Sequence, residues 1–316
     1  MHLTQILAPV DLSEGGITAL QYARLFAEAF SANLTVMYVD PLFFPVDVTA
    51  SHATGAFQRT CADAAFERTV SDATRTEVRV YAANALANAK YDVIVESGQP
   101  VHVILRTARE LNADLLVMGT HALRGWRRAV LGSVTEGVLH GTAIPILTVS
   151  RSHGVPVMHG PVMVTRIVCP VNFTDGARES LRYAAFLAEK FNAELVAVHV
   201  IEPGSHVLPA GSSECRVREW IGDEVGEVMS FRELTMRGGA AERVLDCIDD
   251  LGADLLVIGA QHKFFRETTV IGTTTERLVR FAPCPVLTVV RAAVPHEIQL
   301  EEAFGFNLKP ACSPKT

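Results

Sequence analysis

Several absences narrow the class of protein before any motif is considered. The six cysteines form no Cys-x-x-Cys pair and, like the eleven histidines, are dispersed along the chain, so the sequence predicts neither a disulfide framework nor a metal site. No apolar run approaches the roughly 20 residues that a membrane-spanning helix needs. The first residues also lack the basic and apolar segments of a secretory signal. We therefore expect a soluble, cytoplasmic protein without a membrane partner.

The chain also lacks an excess of basic residues and the common catalytic motifs. The formal net charge is −7 at pH 7, which argues against nucleic-acid binding because such proteins usually present a basic field. The chain contains no GxSxG elbow, no HExxH helix and no GxxxxGK[ST] phosphate loop. We accordingly assign no catalytic residues.

What the sequence does contain is an internal repeat. Residues 7–39 align with residues 168–200 with 12 identities in 33 positions, and residues 104–149 align with residues 244–289 with 16 identities in 46. Roughly two identities would be expected in the first block from average residue usage. The 316 residues also suffice for about two domains. We infer that the chain is a duplication.

The repeat predicts the domain boundaries. We expect a first domain at 1–150 (half one), a linker rich in His, Gly and Pro at 151–164, a second domain at 165–291 (half two) and a tail at 292–316. The roles of the tail and of the region 40–97 stay open. Within that region, Leu42–Val48 is a candidate flap or interface, and Ala56–Val80 has helical spacing.

Each half has the pattern of a doubly wound α/β domain with a parallel sheet of about five strands. In half one, apolar runs predict strands, and 3–4 spacing of apolar residues predicts helices. The predicted strands are Gln5–Val10, Asn33–Val39, Asp114–Met118 and Ile144–Val149, and the predicted helices are one capped by Ser13, Val101–Leu111 and one from about Ser133.

In such sheets, ligands bind beyond the carboxyl ends of the strands, which directs attention to Asp11 and to Gly119–Ser133. The glycines of this segment would let backbone N–H groups approach an anion, and a helix starting near Ser133 would add the positive end of its dipole. An ordinary glycine-rich turn, with Ser133 capping the helix, accounts for the same residues. From the residues alone, both interpretations stay open.

The chain resembles the universal stress protein family. The resemblance rests on Ile6–Ser13, on the helix ALxYAxxxAxxF, on LxADLLVMGTH and on GSVTE…PILTV, and it extends over nearly the whole length. The family carries G-x2-G-x9-G-[S/T] at this place and an Asp after its first strand. The resemblance implies a Rossmann-like fold of the adenine nucleotide alpha hydrolase type. For many members it also implies binding of ATP or a similar adenine nucleotide, with Mg²⁺ accompanying the bound nucleotide.

Carried over to half one, the resemblance implies that Asp11 hydrogen-bonds the adenine or ribose and that Val39 lines the adenine slot. Residues of the later loop would flank and cradle the phosphates. The complete implied set is Pro9, Val10, Asp11, Val39, Met118, Gly119, His121, Ala122, Gly132, Ser133, Val134 and Thr135. This chain departs from the family at Ala122, which stands where the family has its second glycine.

Half two departs further from the family. Asn172 replaces the aspartate, and His262 stands at the second glycine position. The loop from Gly259 to Gly272 keeps its length, and His262 with Lys263 would meet an anion there or remain solvated. The implied weaker site comprises Asn172, Val200, Gly259, His262, Gly272, Thr273 and Thr274. We expect half two to be a degenerate or altered site.

Three functional hypotheses follow. The first is a stress-associated protein that binds an adenine nucleotide, mainly in half one. The second is a nucleotide-free interaction protein that kept the fold, and the third is a slow ATP hydrolase. We also expect the two halves to pair with each other through Ile144–Val149 and Cys284–Val289, because an exposed edge strand is a ready pairing surface. Whether the chain forms a homodimer stays open.

Overall fold

The structure, a computed structural model, describes residues 2–41, 61–120, 131–150, 162–203, 220, 230–263 and 268–291. The elements of half one, in chain order, are β1 (Gln5–Val10), α1 (Glu14–Phe30), β2 (Asn33–Asp40), α2 (Cys61–Leu86), β3 (Asp92–Ser97), α3 (Pro100–Glu110), β4 (Leu115–Thr120), α4 (Ser133–Gly141) and β5 (Ile146–Ser150). Those of half two are β6 (Arg166–Val171), α5 (Asp175–Phe191), β7 (Glu194–Ile201), β8 (Phe231–Arg237), α6 (Ala240–Leu251), β9 (Leu255–Lys263), β10 (Thr268–Val270), α7 (Thr273–Phe281) and β11 (Val286–Arg291).

The described strands form one sheet that runs through both halves. Its order is β3-β2-β1-β4-β5-β11-β9-β6-β7-β8, and β10 pairs with β9 outside this path. Neighbouring strands within each half are parallel, apart from the short β9–β10 pair. This arrangement confirms the predicted α/β class and its mostly parallel sheet.

The halves meet through their last strands, as predicted. β5 and β11 are antiparallel, with Leu147 opposite Leu287. The side chains of both leucines are almost completely buried. The predicted starts of these strands, Ile144 and Cys284, precede the observed starts at Ile146 and Val286 by two residues. The Pro145 and Pro285 carbonyls nevertheless accept backbone hydrogen bonds from the neighbouring strands.

Phenylalanines join the first helices of the two halves. The rings of Phe30 on α1 and Phe186 on α5 stack with centroids 5.2 Å apart. Phe26 meets Phe191 edge to face at 5.3 Å. Since a single hydrophobic cluster takes in α1, α2 and α5 with the strands beneath them, the two halves share this core.

Successive apolar side chains of the buried strands point to opposite faces of the sheet. Helices therefore cover both faces. In half one, α1 and α2 pack with Ile6 and Ala8 on one face. The helices α3 and α4 pack with Leu7 and Met118 on the other face. Thus the segments that leave β1 and β4 run to opposite faces of the sheet.

Some elements differ from the sequence-based expectation. The helix expected at Ala56–Val80 is observed as Cys61–Leu86, and β3 follows it within a region for which no strand was predicted. Leu42–Val48, most of the linker and the tail lie outside the described residues. No helix in the described part of the chain is long and apolar enough to cross a membrane.

Candidate functional site

The candidate site lies where the order of strands reverses. β1 and β4 are neighbours, but β1 continues through α1 to β2 on one side, whereas β4 continues through α4 to β5 on the other. The carboxyl ends of neighbouring strands at such a reversal are where doubly wound sheets bind ligands. The structure brings Pro9, Val10, Asp11, Met118 and Gly119 to this edge.

Asp11 is exposed at the end of β1. Its Oδ1 accepts a hydrogen bond of 3.1 Å from the Ser13 backbone N–H, while Leu12 between them has a φ of 60°. This side chain-to-backbone turn fixes the carboxylate relative to the start of α1. Ser13 occupies the N-cap position of α1, as predicted, although its side chain makes no capping hydrogen bond.

Tyr81 of α2 holds the same turn from the second covering helix. Its hydroxyl donates a hydrogen bond of 2.5 Å to the Ser13 carbonyl oxygen. Burial, and to a lesser extent the charge of Asp11, raises the pKa of the Tyr81 phenol, so this group stays a proton donor at neutral pH. Sequence reasoning missed Tyr81, since no local pattern links a residue of α2 to a turn 68 positions earlier.

Gly119 allows β4 to approach α1 closely. A Cβ atom at this position would lie 3.1 Å from the Gly15 carbonyl oxygen. The Thr135 hydroxyl donates a hydrogen bond of 3.0 Å to the Gly119 carbonyl oxygen. Gly119 therefore connects the first turn of α1 to the first turn of α4.

The helix α4 begins at the predicted residue. Gly132 is its N-cap, with φ −62° and ψ 142°, and the Glu136 N–H makes the first helical bond to the Gly132 carbonyl oxygen. The N–H groups of Ser133, Val134 and Thr135 precede that bond and have no partner within an α-helix. Because the Thr135 hydroxyl is bonded to Gly119, only its backbone N–H remains to meet an anion.

Val39 and Met118 form the floor beside this edge. They are 8% and 4% exposed and belong to the core between the sheet and the helices α3 and α4. This places them on the side of the sheet from which α4 approaches. His121 and Ala122, together with the basic cluster Arg124, Arg127 and Arg128, lie outside the described residues.

Half two builds the equivalent turn with different groups. Oδ1 of Asn172 accepts hydrogen bonds from the Thr174 N–H at 3.3 Å and from its hydroxyl at 2.7 Å. The Thr174 hydroxyl in turn accepts from the Ala177 N–H and caps α5. The amide at position 172 thus serves the helix cap and carries no charge.

An aromatic cluster packs at the β6–α5 turn, the half-two equivalent of the turn to which Tyr81 is bonded in half one. Phe173, with a φ of 61°, meets Trp220 edge to face at 5.6 Å and His199 at 4.6 Å. The Arg178 guanidinium lies 5.0 Å from the centre of the Trp220 ring. Half two therefore holds its β6–α5 turn by ring packing.

The expectation of a long loop from Gly259 to Gly272 is wrong for half two. β9 extends to Lys263, and Thr269 of β10 pairs with His262 in an antiparallel hairpin. β10 contacts α4 of half one. The β-branched Thr268, Thr269 and Val270 favour strand formation, and the glycine that half one has at position 125 is absent here.

The remaining half-two residues occupy positions equivalent to those of half one. Gly259 would place a Cβ atom 2.6 Å from the Gly176 carbonyl oxygen, and the Thr275 hydroxyl donates to the Gly259 carbonyl oxygen at 3.4 Å. Gly272 is the N-cap of α7, ahead of Thr273 and Thr274. Val200 lies on β7 and packs against the hydrophobic cluster that also contains Val39 and Met118.

Within the part of the chain that the structure describes, metal ligands are not gathered at either edge. Among the described residues, no three His, Cys, Asp or Glu side chains approach each other as they would around an ion. Cys169, Cys247 and Cys284 are free and buried. Burial raises the pKa of the Cys169 and Cys284 thiols to about 12, which makes them poor nucleophiles.

Comparison with known proteins agrees with this architecture. The model of the universal stress protein family matches residues 2–150 and 163–290. A universal stress protein of Methanocaldococcus jannaschii is 27% identical over 146 residues, which are 42% of this chain and 86% of that protein. The universal stress protein YxiE of Bacillus subtilis is 28% identical over 154 residues, 46% of this chain and 97% of that protein.

A solved structure shows that the fold is shared over both halves. The crystal structure of a universal stress protein from Archaeoglobus fulgidus has a TM-score of 0.69 at 24% identity. The match covers 91% of this chain and 98% of that chain.

Proposed function

The chain belongs to the universal stress protein family, and from that premise we propose that half one binds ATP or a related adenine nucleotide in a regulatory, stress-response role. One observation carries the proposal. Asp11, Gly119 and the N-terminus of α4 converge at the edge of the sheet where the strand order reverses. An acidic acceptor and an anion-attracting helix end, at one edge of the sheet, suit a ligand with a polar base or sugar and a phosphate tail.

At the base and ribose end, Asp11 would be the principal polar contact. A carboxylate offers about four acceptor positions, and Oδ1 accepts the bond from the Ser13 N–H. The turn held by Ser13 and Tyr81 would keep the carboxylate in place before the ligand arrives. Val39 and Met118 would supply the apolar surface against which the adenine lies.

At the phosphate end, the N–H groups of Ser133, Val134 and Thr135 would receive the anionic oxygens, aided by the helix dipole. Mg²⁺ in such sites is held largely by phosphate oxygens and water. Because the described residues gather no set of metal ligands, we expect Mg²⁺ only as part of the nucleotide complex.

Half two supports binding less well. Its Asn172 accepts a hydrogen bond from the hydroxyl of Thr174, the residue that caps α5, and β9 pairs with β10 in a hairpin where a loop was expected. For this half we favour the alternative function, a nucleotide-free interaction and structural role. Its hairpin, which contacts α4, is the observation that favours this alternative.

A calorimetric titration of nucleotide-stripped protein with Mg²⁺-ATP tests the proposal. We expect saturation at a single site per chain. The double variant Asp11→Ala with Ser133→Tyr should not bind, because it lacks the carboxylate and fills the helix N-terminus. The matched half-two variant, Asn172→Ala with Thr273→Tyr, should bind like the unaltered protein.

Absence of binding by the unaltered protein would overturn the proposal in favour of the nucleotide-free alternative. Equal losses in both double variants would show that the site is not confined to half one. Phosphate release over many turnovers, lost in Asp11→Ala, would instead identify a slow ATP hydrolase.

A further inference from the structure

A single arginine of half two lies between two equivalent glutamates. Arg280 is in the last turn of α7, and its NH2 group is 3.1 Å from Oε1 of Glu136 on α4 and 3.0 Å from Oε1 of Glu276 on α7. The Arg280 side chain is 27% exposed, so it is less solvated than the other described surface arginines that form ion pairs, such as Arg277 at 54%. A partly desolvated pair is screened less by salt than an exposed one.

The repeat shows why this contact is asymmetric. Glu136 and Glu276 occupy equivalent positions in the two copies, each in the first turn of its helix. The position equivalent to Arg280 in half one is His140. One guanidinium from half two therefore bridges the first turns of both helices, and half one supplies no second arginine.

Glu136 is placed to influence a phosphate at α4. It follows Thr135, whose hydroxyl is bonded to Gly119, and it is the acidic residue of the first helical turn. An acidic group there competes with an incoming anion for the positive end of the helix dipole. The nearby Arg280 offsets that negative charge.

We propose that Arg280 couples half two to the nucleotide site of half one by neutralising Glu136 at the start of α4. This inference rests on the function proposed above. It assigns half two a positioning residue for its neighbour's ligand, in addition to the contact of β10 with α4. The coupling is electrostatic, so it grows with the number of phosphates on the ligand and weakens with ionic strength.

The test compares Arg280→Ala and Arg280→His with Arg277→Ala in calorimetric titrations with ATP, ADP and AMP. Arg277 is on the same helix and pairs with Glu242 of half two, so its loss is the matched control. We expect the Kd for ATP to rise about two- to fivefold in Arg280→Ala, the range that one charge at a helix N-terminus supports. The rise should diminish from ATP to AMP and at high salt, and Arg277→Ala should leave all three values unchanged.

A second variant separates charge from structure. In Glu136→Gln the negative charge is absent, so the Kd for ATP should fall relative to the unaltered protein, and the change should diminish from ATP to AMP. Equal weakening for ATP and AMP in Arg280→Ala, or an ATP affinity that does not improve in Glu136→Gln, would show a general structural effect and overturn the coupling. ATP binding that is unaffected by Arg280→Ala would also overturn it while leaving the proposed function standing. No binding by the unaltered protein would remove the premise itself.

Discussion

Two of the glycines that the sequence associates with phosphate binding are required by packing within the protein. At Gly119 the first turn of α1, and at Gly259 the first turn of α5, comes so close that a Cβ atom would lie 3.1 Å and 2.6 Å, respectively, from a backbone carbonyl oxygen. Gly272 differs, because a Cβ atom there would meet nothing within 4 Å, and its φ of −70° suits any residue. Packing therefore explains the first two glycines, whereas Gly272 serves as the N-cap of α7, a position that favours Gly over Ala.

These distances predict a ranking of substitutions by alanine. Gly259→Ala should lower the free energy of unfolding most, by about 1–3 kcal/mol as other overpacking changes do, because the obstructing atoms belong to the backbone. Gly119→Ala should cost less, and Gly272→Ala should cost least, about 0.5–1 kcal/mol, because Ala is a poorer N-cap residue than Gly. Urea denaturation of the three variants measures the order, and a large loss in Gly272→Ala would contradict it.

The site could be predicted from sequence only where its residues follow strand ends or begin helices. Asp11, Gly119 and Ser133 satisfy that condition, and the structure places all three at one edge. Tyr81 and Arg280 do not satisfy it. They reach the site across 68 and 144 positions of sequence, respectively, and contacts of that range leave no periodic signal.

Among the elements, β1 and β4 are fastened together at their beginnings by one carboxylate. Oδ2 of Asp114 accepts hydrogen bonds from the Thr4 N–H, the Thr4 hydroxyl and the Gln5 N–H at 2.7–3.0 Å. Asp254 makes the same three bonds to Thr165 and Arg166 in half two. The Asp that precedes each apolar LLV run is therefore a structural clamp at the edge opposite the candidate site.

This clamp predicts a dependence of stability on pH. Burial alone would raise the pKa of Asp114, but the hydrogen bonds from Thr4 and Gln5 outweigh it, and the pKa is lowered. The carboxylate then stabilises the fold above its unfolded pKa of about 3.9, and this contribution is lost as the pH falls through the lower, folded pKa. At pH 7, Asp114→Asn should cost about 1–2 kcal/mol, and the cost should shrink below about pH 4.

Urea denaturation of both proteins between pH 3 and 7 measures this difference. Asp92→Asn, at the exposed start of β3, is the control and should show a much smaller difference. If the difference in free energy of unfolding between Asp114→Asn and the unaltered protein stays constant down to pH 3, the charge of Asp114 is not the stabilising feature.

Element type was predictable where the apolar period is clear, as in β1, α1, β4 and α4. The hairpin β9–β10 was not, because it was expected to follow half one by homology between the copies. Its strand character comes from pairing between β9 and β10 and from contact with α4, which are tertiary effects. The strand β3 was missed because it follows a region with no counterpart of equal length in half two.

At the scale of the whole molecule, the continuous sheet and the shared core predict a single unfolding transition. Leu147 is completely buried at the junction and lies opposite Leu287. Replacing it by Ala should cost about 2–5 kcal/mol, as for other buried leucines. Amide hydrogen exchange followed by mass spectrometry should show faster exchange in β1 and β6 alike. Faster exchange confined to peptides of half one would show that the halves unfold separately.

The antiparallel junction of β5 with β11 has a consequence for how the sequences of the two halves evolve. In a pair of identical chains, every substitution appears on both sides of the axis at once. Here each side has its own codons, and the peptide link between β5 and β6 keeps the partner at a fixed effective concentration. Half two can therefore carry Arg280 while half one carries His140 at the equivalent position. The two halves of one polypeptide can then differ in function, as the two subunits of a heterodimer do.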